Sequence, residues 1–156
     1  SPRLAHHLSE CGVRADLYAT SWFVTLFASD CTLPVVLALW DELLIREDPF
    51  FVYFVALALL HGEEENVLSA DEADVMELLR RIKMHDAADV KRAVEAAREF
   101  DLETPKSFRR QLYRATVQNE ANTDIDEMLL TAPCLLIPAT ELLQEGGGGR
   151  FFVIDT

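Results

Sequence analysis

Asp48-Pro49-Phe50-Phe51-Val52-Tyr53-Phe54-Val55-Ala56-Leu57-Ala58-Leu59-Leu60 decides the fold class. Asp48 offers an acceptor to the free N–H groups of a helix start, and Pro49 suits a first helical turn. A buried strand is the competing reading. The apolar run from Phe50 to Leu60 is eleven residues, long for a strand, and length favours the helix. No polar face interrupts it, which predicts a helix at the centre of a bundle. The run falls well short of the roughly 20 residues that cross a bilayer. With no Lys/Arg-led secretory signal at the start, the chain is expected to be soluble.

Working outward, helix punctuation recurs on both sides. Leu4, His7, Leu8 and Cys11 share one face of a short helix that Gly12 stops. Asp16 is placed to cap a second helix, with Trp22, Phe23, Leu26 and Phe27 as its stripe. Pro34 opens a third, whose Leu33, Val36, Leu37, Trp40 and Leu44 recur at helical spacing. Gly62 and Glu63 to Glu65 read as an exposed loop. Ser69-Ala70-Asp71-Glu72 has the form of a capping box ahead of Val75, Leu78, Leu79 and Ile82. Asp86 begins a helix with Val90, Ala93, Val94 and Ala97 inward, and Thr104-Pro105 begins a last one.

After Gln118 the character changes. A polar stretch leads to the apolar run Cys134 to Ile137, a short helix-like Ala139 to Gln144, four glycines at 146 to 149, and the β-rich Phe151-Phe152-Val153-Ile154-Asp155. Strand, helix, strand is how an α/β unit opens, so a second domain is expected to begin here and be cut short. The expected fold is mainly all-α, a helical bundle over residues 1–118, followed at 119–156 by a linker and the start of an α/β domain.

Charge limits the partners. The 156 residues hold 14 Lys plus Arg and 27 Asp plus Glu, a net charge of −13, which disfavours nucleic acid because neutralising phosphates needs a basic surface. The acid is concentrated in residues 1–78, with 3 basic and 14 acidic side chains, whereas Arg80 to Arg114 holds ten basic and six acidic. Three well-separated cysteines, Cys11, Cys31 and Cys134, give no disulfide or zinc pattern and fit reducing cytosol.

Three groups of residues invite chemical readings. His7 and Cys11 are i, i+4 on one helix and His6 adjoins them, but two ligands do not make a metal site. Glu63 to Glu65 read as solvated charge, and Gly146 to Gly149 lack the following Lys-Ser/Thr of a phosphate loop. The aromatic residues Trp22, Phe23, Phe27, Trp40, Phe50, Phe51 and Phe54 fall at helical spacing and are expected in the core. No catalytic residue, metal or cofactor is assigned.

The final helix says more. At 100° per residue from Lys106, Arg110 lies at about 40°, Arg114 at about 80° and Arg109 at about −60°, while Phe108, Leu112 and Ala115 cluster on the opposite side. Lys106, Arg109, Arg110 and Arg114 thus form the candidate partner-binding face. A solvated helix surface, with cations suiting the C-terminal end, is one reading. The other is an anion-binding face for an acidic peptide or anionic lipid head groups.

Tyr18-Ala19-Thr20-Ser21-Trp22-Phe23-Val24-Thr25-Leu26-Phe27-Ala28, then Leu39-Trp40-Asp41, then Asp48-Pro49-Phe50-Phe51 resembles the C-terminal half of a TBC domain, the Rab GTPase-activating module. Thr104-Pro105-Lys106-Ser107-Phe108-Arg109 and the later Arg150 to Asp155 resemble the sub-type in which a rhodanese-like domain follows. The resemblance implies a helical TBC C-terminal lobe. It also implies that catalysis would rest on an arginine in I-x-x-D-x-x-R and a glutamine in Y-x-Q, both in the other half of the domain. Ile45-Arg46-Glu47-Asp48-Pro49-Phe50-Phe51 has the first spacing but ends in Phe, and none of Tyr18, Tyr53 or Tyr113 has Gln two positions on. Phosphoryl transfer needs a cation delivered to the developing charge, so a non-enzyme is expected. Cys134 lies in or before the first strand and is not the sulfur carrier that a rhodanese loop would hold. The function implied is a non-catalytic interaction module of a membrane-traffic adaptor that captures endosome-derived vesicles. Golgin-type coiled coils and a Rab GTPase are the implied partners, in the cytoplasm and peripherally at the trans-Golgi. The alternative is a Rab GTPase activator without its arginine and glutamine half.

Overall fold

The computed structural model describes residues 1–116, with all regular structure among them helical. The expected strand-helix-strand unit of residues 119–156, Cys134 included, lies outside the described residues. Eight helices follow one another: α1 (Pro2–Glu10), α2 (Asp16–Val24), α3 (Leu33–Ile45), α4 (Phe51–Gly62), α5 (Glu64–Ser69), α6 (Glu72–Arg81), α7 (Ala87–Glu103) and α8 (Lys106–Thr116). The chain divides into two compact units, Ser1–Asp101 and Leu102–Thr156, with the boundary inside α7.

In the first unit α2 packs on α4 and α6, and α5 packs on α1, α4 and α6. The core is one cluster joining Trp22, Phe27, Leu39, Phe51, Val55, Val67, Val75, Leu79, Met84 and Ala97, all almost wholly buried. Helix α4 supplies Phe51, Phe54, Val55, Ala56 and Ala58 to it. It is not enclosed on all sides, however: Tyr53 and Leu57 are 39% and 51% exposed, so the absence of a polar face did not mean burial all round. Asp48 accepts the Phe50 N–H at 3.0 Å, but α4 starts at Phe51 with Phe50 as its N-cap and no side-chain cap bond, so the expected Asp48 cap and Pro49 start fall in the turn ahead of the helix.

Local termini explain where several elements stop. Gly12, at φ 64°, ends α1, with the Val13 N–H bonded to the Leu8 carbonyl at 2.9 Å. Glycine carries no Cβ penalty at that left-handed position. Helix α2 stops differently. Leu26 and Phe27 both adopt positive φ, 47° and 66°, which costs side-chain-bearing residues about 1–3 kcal/mol each. Phe27 offsets that strain by burial against Trp22, ring centroids 5.7 Å apart, and its N–H reaches the Trp22 carbonyl at 2.9 Å. The Trp40 indole N–H donates to the Leu26 carbonyl at 2.9 Å and pins the same turn from α3. The expected stripe of Trp22, Phe23, Leu26 and Phe27 on one helix is therefore broken at Thr25, and Leu26 is 43% exposed.

Four further expectations change. Asp16 is the first residue of α2, not its cap, and its carboxylate takes Arg14. The presumed loop at Glu63 to Glu65 contains the start of α5, whose first-turn acids suit the positive end of the helix dipole. Ser69 does not form a capping box: its hydroxyl donates to the Asn66 carbonyl, closing α5, and α6 starts after Asp71 without a side-chain cap bond. On α3 the buried residues are Val35, Val36 and Leu39, whereas Leu33, Leu37 and Leu44 are 68%, 50% and 76% exposed. Helix α7 buries Val90, Ala93, Val94 and Ala97, and Asp86 accepts the Asp89 N–H at 2.9 Å ahead of it.

Candidate partner-binding face

The predicted cations sit on α8, which follows the buried Pro105 and opens at Lys106. Lys106 and Arg110 are exposed, and Arg109 is half-buried rather than turned fully to solvent. Ser107 is buried and Phe108 half-buried, so the inward side of this helix runs from Ser107 towards Phe108. On the same wheel Ser107 lies at about 100°, so its burial extends the inward side away from Arg109 at about −60° and does not account for the half-burial of Arg109. Arg114 lies within α8, one turn beyond Arg110, and its side chain is outside what the structure describes.

Tyr113 was missed by sequence reasoning. It is 43% exposed, and at 100° per residue it falls at about −20°, between Lys106 and Arg109. The signal was present in the same arithmetic that collected the cations. An exposed ring among guanidinium and ammonium groups suits recognition of a partner that carries both carboxylates and apolar surface.

The motif positions that could have held catalytic groups are structural. Phe51, where the I-x-x-D-x-x-R spacing calls for arginine, is the first residue of α4 and 0% exposed. The Arg46 guanidinium lies 4.0 Å from the centroid of its ring. Tyr18 is buried, and that burial raises its phenol above the usual value of 10.0. The Cys31 thiol is likewise raised, chiefly by burial, with a bond to the Met84 backbone opposing the shift. A thiol raised in this way stays protonated and is a poor nucleophile. His7 Nε2 and Cys11 Sγ are 3.8 Å apart, and among the described residues no three His, Cys, Asp or Glu side chains gather to hold a metal. No described helix is long and apolar enough to cross a membrane.

Residues 1–68, helices α1 to α4 and most of α5, match the Rab-GTPase-TBC domain, so the N-terminal part of the chain is a TBC-domain segment. Relatives extend the likeness. The "TBC domain-containing protein kinase-like protein" of Mus musculus is 26% identical over 147 residues, 92% of this chain and 16% of that protein. That alignment reaches well past residue 68. The "Rab GTPase-activating protein tbc-11" of Caenorhabditis elegans is 30% identical over 79 residues, 51% of this chain and 8% of that protein. The "GTPase-activating protein GYP5" of Eremothecium gossypii is 36% identical over 63 residues, 40% of this chain and 8% of its own. The chain thus spans at most about a sixth of the length of these relatives.

Proposed function

We propose that this chain is a non-catalytic, partner-binding lobe of a TBC protein, and that it works as an adaptor in membrane traffic rather than as a GTPase activator. The observation that carries this reading is Phe51: the one I-x-x-D-x-x-R spacing in the sequence ends in a fully buried aromatic that holds the core. A transferring phosphoryl group needs an exposed, movable cation, and a side chain locked at the start of α4 supplies none. Recognition falls instead to α8, where Lys106, Arg109, Arg110 and Arg114 dock an acidic protein segment, with Tyr113 among them. The finer reading follows the resemblance to the sub-type with a rhodanese-like domain, closest to member twenty-three of the TBC family. In it the partners are golgin-type coiled coils and a Rab GTPase, and the module captures endosome-derived vesicles peripherally at the trans-Golgi.

The second reading is a piece of a Rab GTPase activator whose arginine and glutamine lie elsewhere in its protein, and the names of the worm and fungal relatives favour it. Calorimetry against a golgin N-terminal segment tests the first reading. Wild type binds, and reversing two charges, Arg110→Glu with Arg114→Glu, abolishes binding while helicity and stability hold within about 0.5 kcal/mol. Affinity falls with added salt, because exposed charges are screened beyond about 8 Å at physiological ionic strength. Equal binding by the reversed protein reduces the α8 cations to ordinary solvated surface.

A further inference from the structure

A second surface, on the first unit, has the make-up of a binding site. The last turn of α4, the end of α6 and the first half of α7 border a cleft of about 510 Å³. That volume is within the ~300–1,000 Å³ usual for sites that hold a ligand. Its floor is apolar and shallowly branched: Ala58 and Leu59 from α4, Ala93 and Ala96 from α7, and Ile82 after α6. Ala58, Ile82 and Ala93 are buried, and alanine at three of these positions leaves depth that a larger side chain would fill.

The rim is cationic. Arg81, Lys83 and Arg92 line it together with His61 and His85, all of them exposed. Residues 1–101 hold nine Lys plus Arg and 19 Asp plus Glu, so three of the nine fixed positive charges of a strongly acidic unit border this one cleft. Its two carboxylates are engaged locally. Asp89 accepts the His85 N–H at 2.7 Å and pairs with Arg92, and Glu63 accepts the Asn66 amide at 2.6 Å. Arg81 and Arg92 already hold carboxylates of their own helices, Glu77 and Asp89. Lys83 makes no ion pair with the described residues.

We propose that this cleft docks a short acidic peptide segment, seating an apolar side chain on the alanine floor and its neighbouring carboxylates on Lys83, Arg81 and Arg92. Charge and shape together select a slender peptide over a membrane. Anionic head groups spread across a surface would bring the rest of the acidic unit within the ~8 Å over which repulsion acts. A peptide lying in the cleft meets three fixed cations, Arg81, Lys83 and Arg92, against two carboxylates, Glu63 and Asp89, that are already engaged. The Asp89 to Ala96 stretch of α7 is about 10 Å long at 1.5 Å per residue, room for about three extended peptide residues.

Fluorescence polarisation on the 156-residue chain tests this, using a labelled peptide of alternating glutamate and leucine. The probe binds, and a glutamine-leucine counterpart binds distinctly more weakly. Lys83→Glu, an exposed substitution that leaves the helical signal unchanged, lowers affinity by about three- to fivefold or more. Ala96→Leu, which fills the floor, lowers it comparably. Measured in the Arg110→Glu, Arg114→Glu background, which removes binding of the acidic probe at α8, the losses caused by Lys83→Glu and Ala96→Leu persist, and this separates the cleft from the face on α8. Equal binding of the two peptides, or unchanged affinity in both Lys83→Glu and Ala96→Leu, overturns the proposal. So does binding to phosphatidylserine vesicles with none to the peptide.

Discussion

Helices α3 and α7 divide their surfaces in opposite ways. Helix α3 buries Val35, Val36 and Leu39 and leaves Leu33, Leu37, Leu44 and Ile45 between 50% and 81% exposed. Helix α7 buries Val90, Ala93, Val94 and Ala97 and surrounds them with Lys91, Arg92, Glu95, Arg98 and Glu99, all exposed. The two meet the same core and are joined at their edges by an Arg98 to Glu42 contact of 3.4 Å. The difference is one of supply. From Val90 to Ala97 the composition of α7 offers a single apolar stripe, which the core takes up, and only towards its end is a large apolar side chain, Leu102, left 75% exposed. Helix α3 offers more apolar surface than the core can cover, and neighbours decide which part goes in. The apolar face left over falls within the segment that matches the Rab-GTPase-TBC domain.

The sharpest way to break this comparison is to truncate both kinds of leucine on α3. Leu39 is 0% exposed, and Leu39→Ala is expected to cost about 2–5 kcal/mol through lost burial and the cavity left behind. Leu44→Ala, at 76% exposure, should change stability by no more than about 0.5 kcal/mol. Paired urea midpoints measure the contrast, and similar losses would mean that α3 is turned the other way.

Helix starts give a smaller effect. Asp86 accepts the Asp89 N–H ahead of α7, whereas Thr32, at the same position before α3, makes no side-chain cap bond. Asp86→Ala should therefore cost about 1 kcal/mol in chemical denaturation, and Thr32→Ala distinctly less.

These contrasts show what was legible from sequence and why. The inward set of α7 could be read because charged residues leave only Val90, Ala93, Val94 and Ala97 in phase. On α3 and α4 nearly every position is apolar, so periodicity cannot choose a face. Leu33 and Leu44 were accordingly expected in the core and Tyr53 and Leu57 were expected to be enclosed, and all four are exposed. Helix α5 was hidden because Gly62 and three glutamates look like a loop, although the same acids favour a helix N-terminus. On α8 the exposure of Lys106 and Arg110 was readable from angle alone. The half-burial of Arg109 was not, since at about −60° the angle places it with the exposed cations. The cleft at Lys83 escaped because its walls come from three different helices, α4, α6 and α7, whose packing periodicity alone does not give.

The smallest effect is titrational. The His85 backbone N–H, with help from Arg92, holds the Asp89 carboxyl below its usual value of 3.8. Its folded-state value being depressed, the group contributes stability above the unfolded value and loses it as pH falls through the folded one. The stability gap between wild type and Asp89→Ala should be constant near neutrality and shrink below about pH 4. A gap that instead widened on acidification would show that the carboxylate is not stabilised where the structure places it.

The central claim, that this lobe binds and does not catalyse, is tested most directly by single-turnover GTP hydrolysis. A panel of Rab GTPases is loaded with GTP and followed with and without the 156-residue chain. The expected result is the same rate in both, because the one I-x-x-D-x-x-R spacing in the sequence ends in the buried Phe51 and no Tyr is followed two positions on by Gln. An acceleration that disappears when Arg80, Arg81 or Arg109 is replaced by alanine would contradict it.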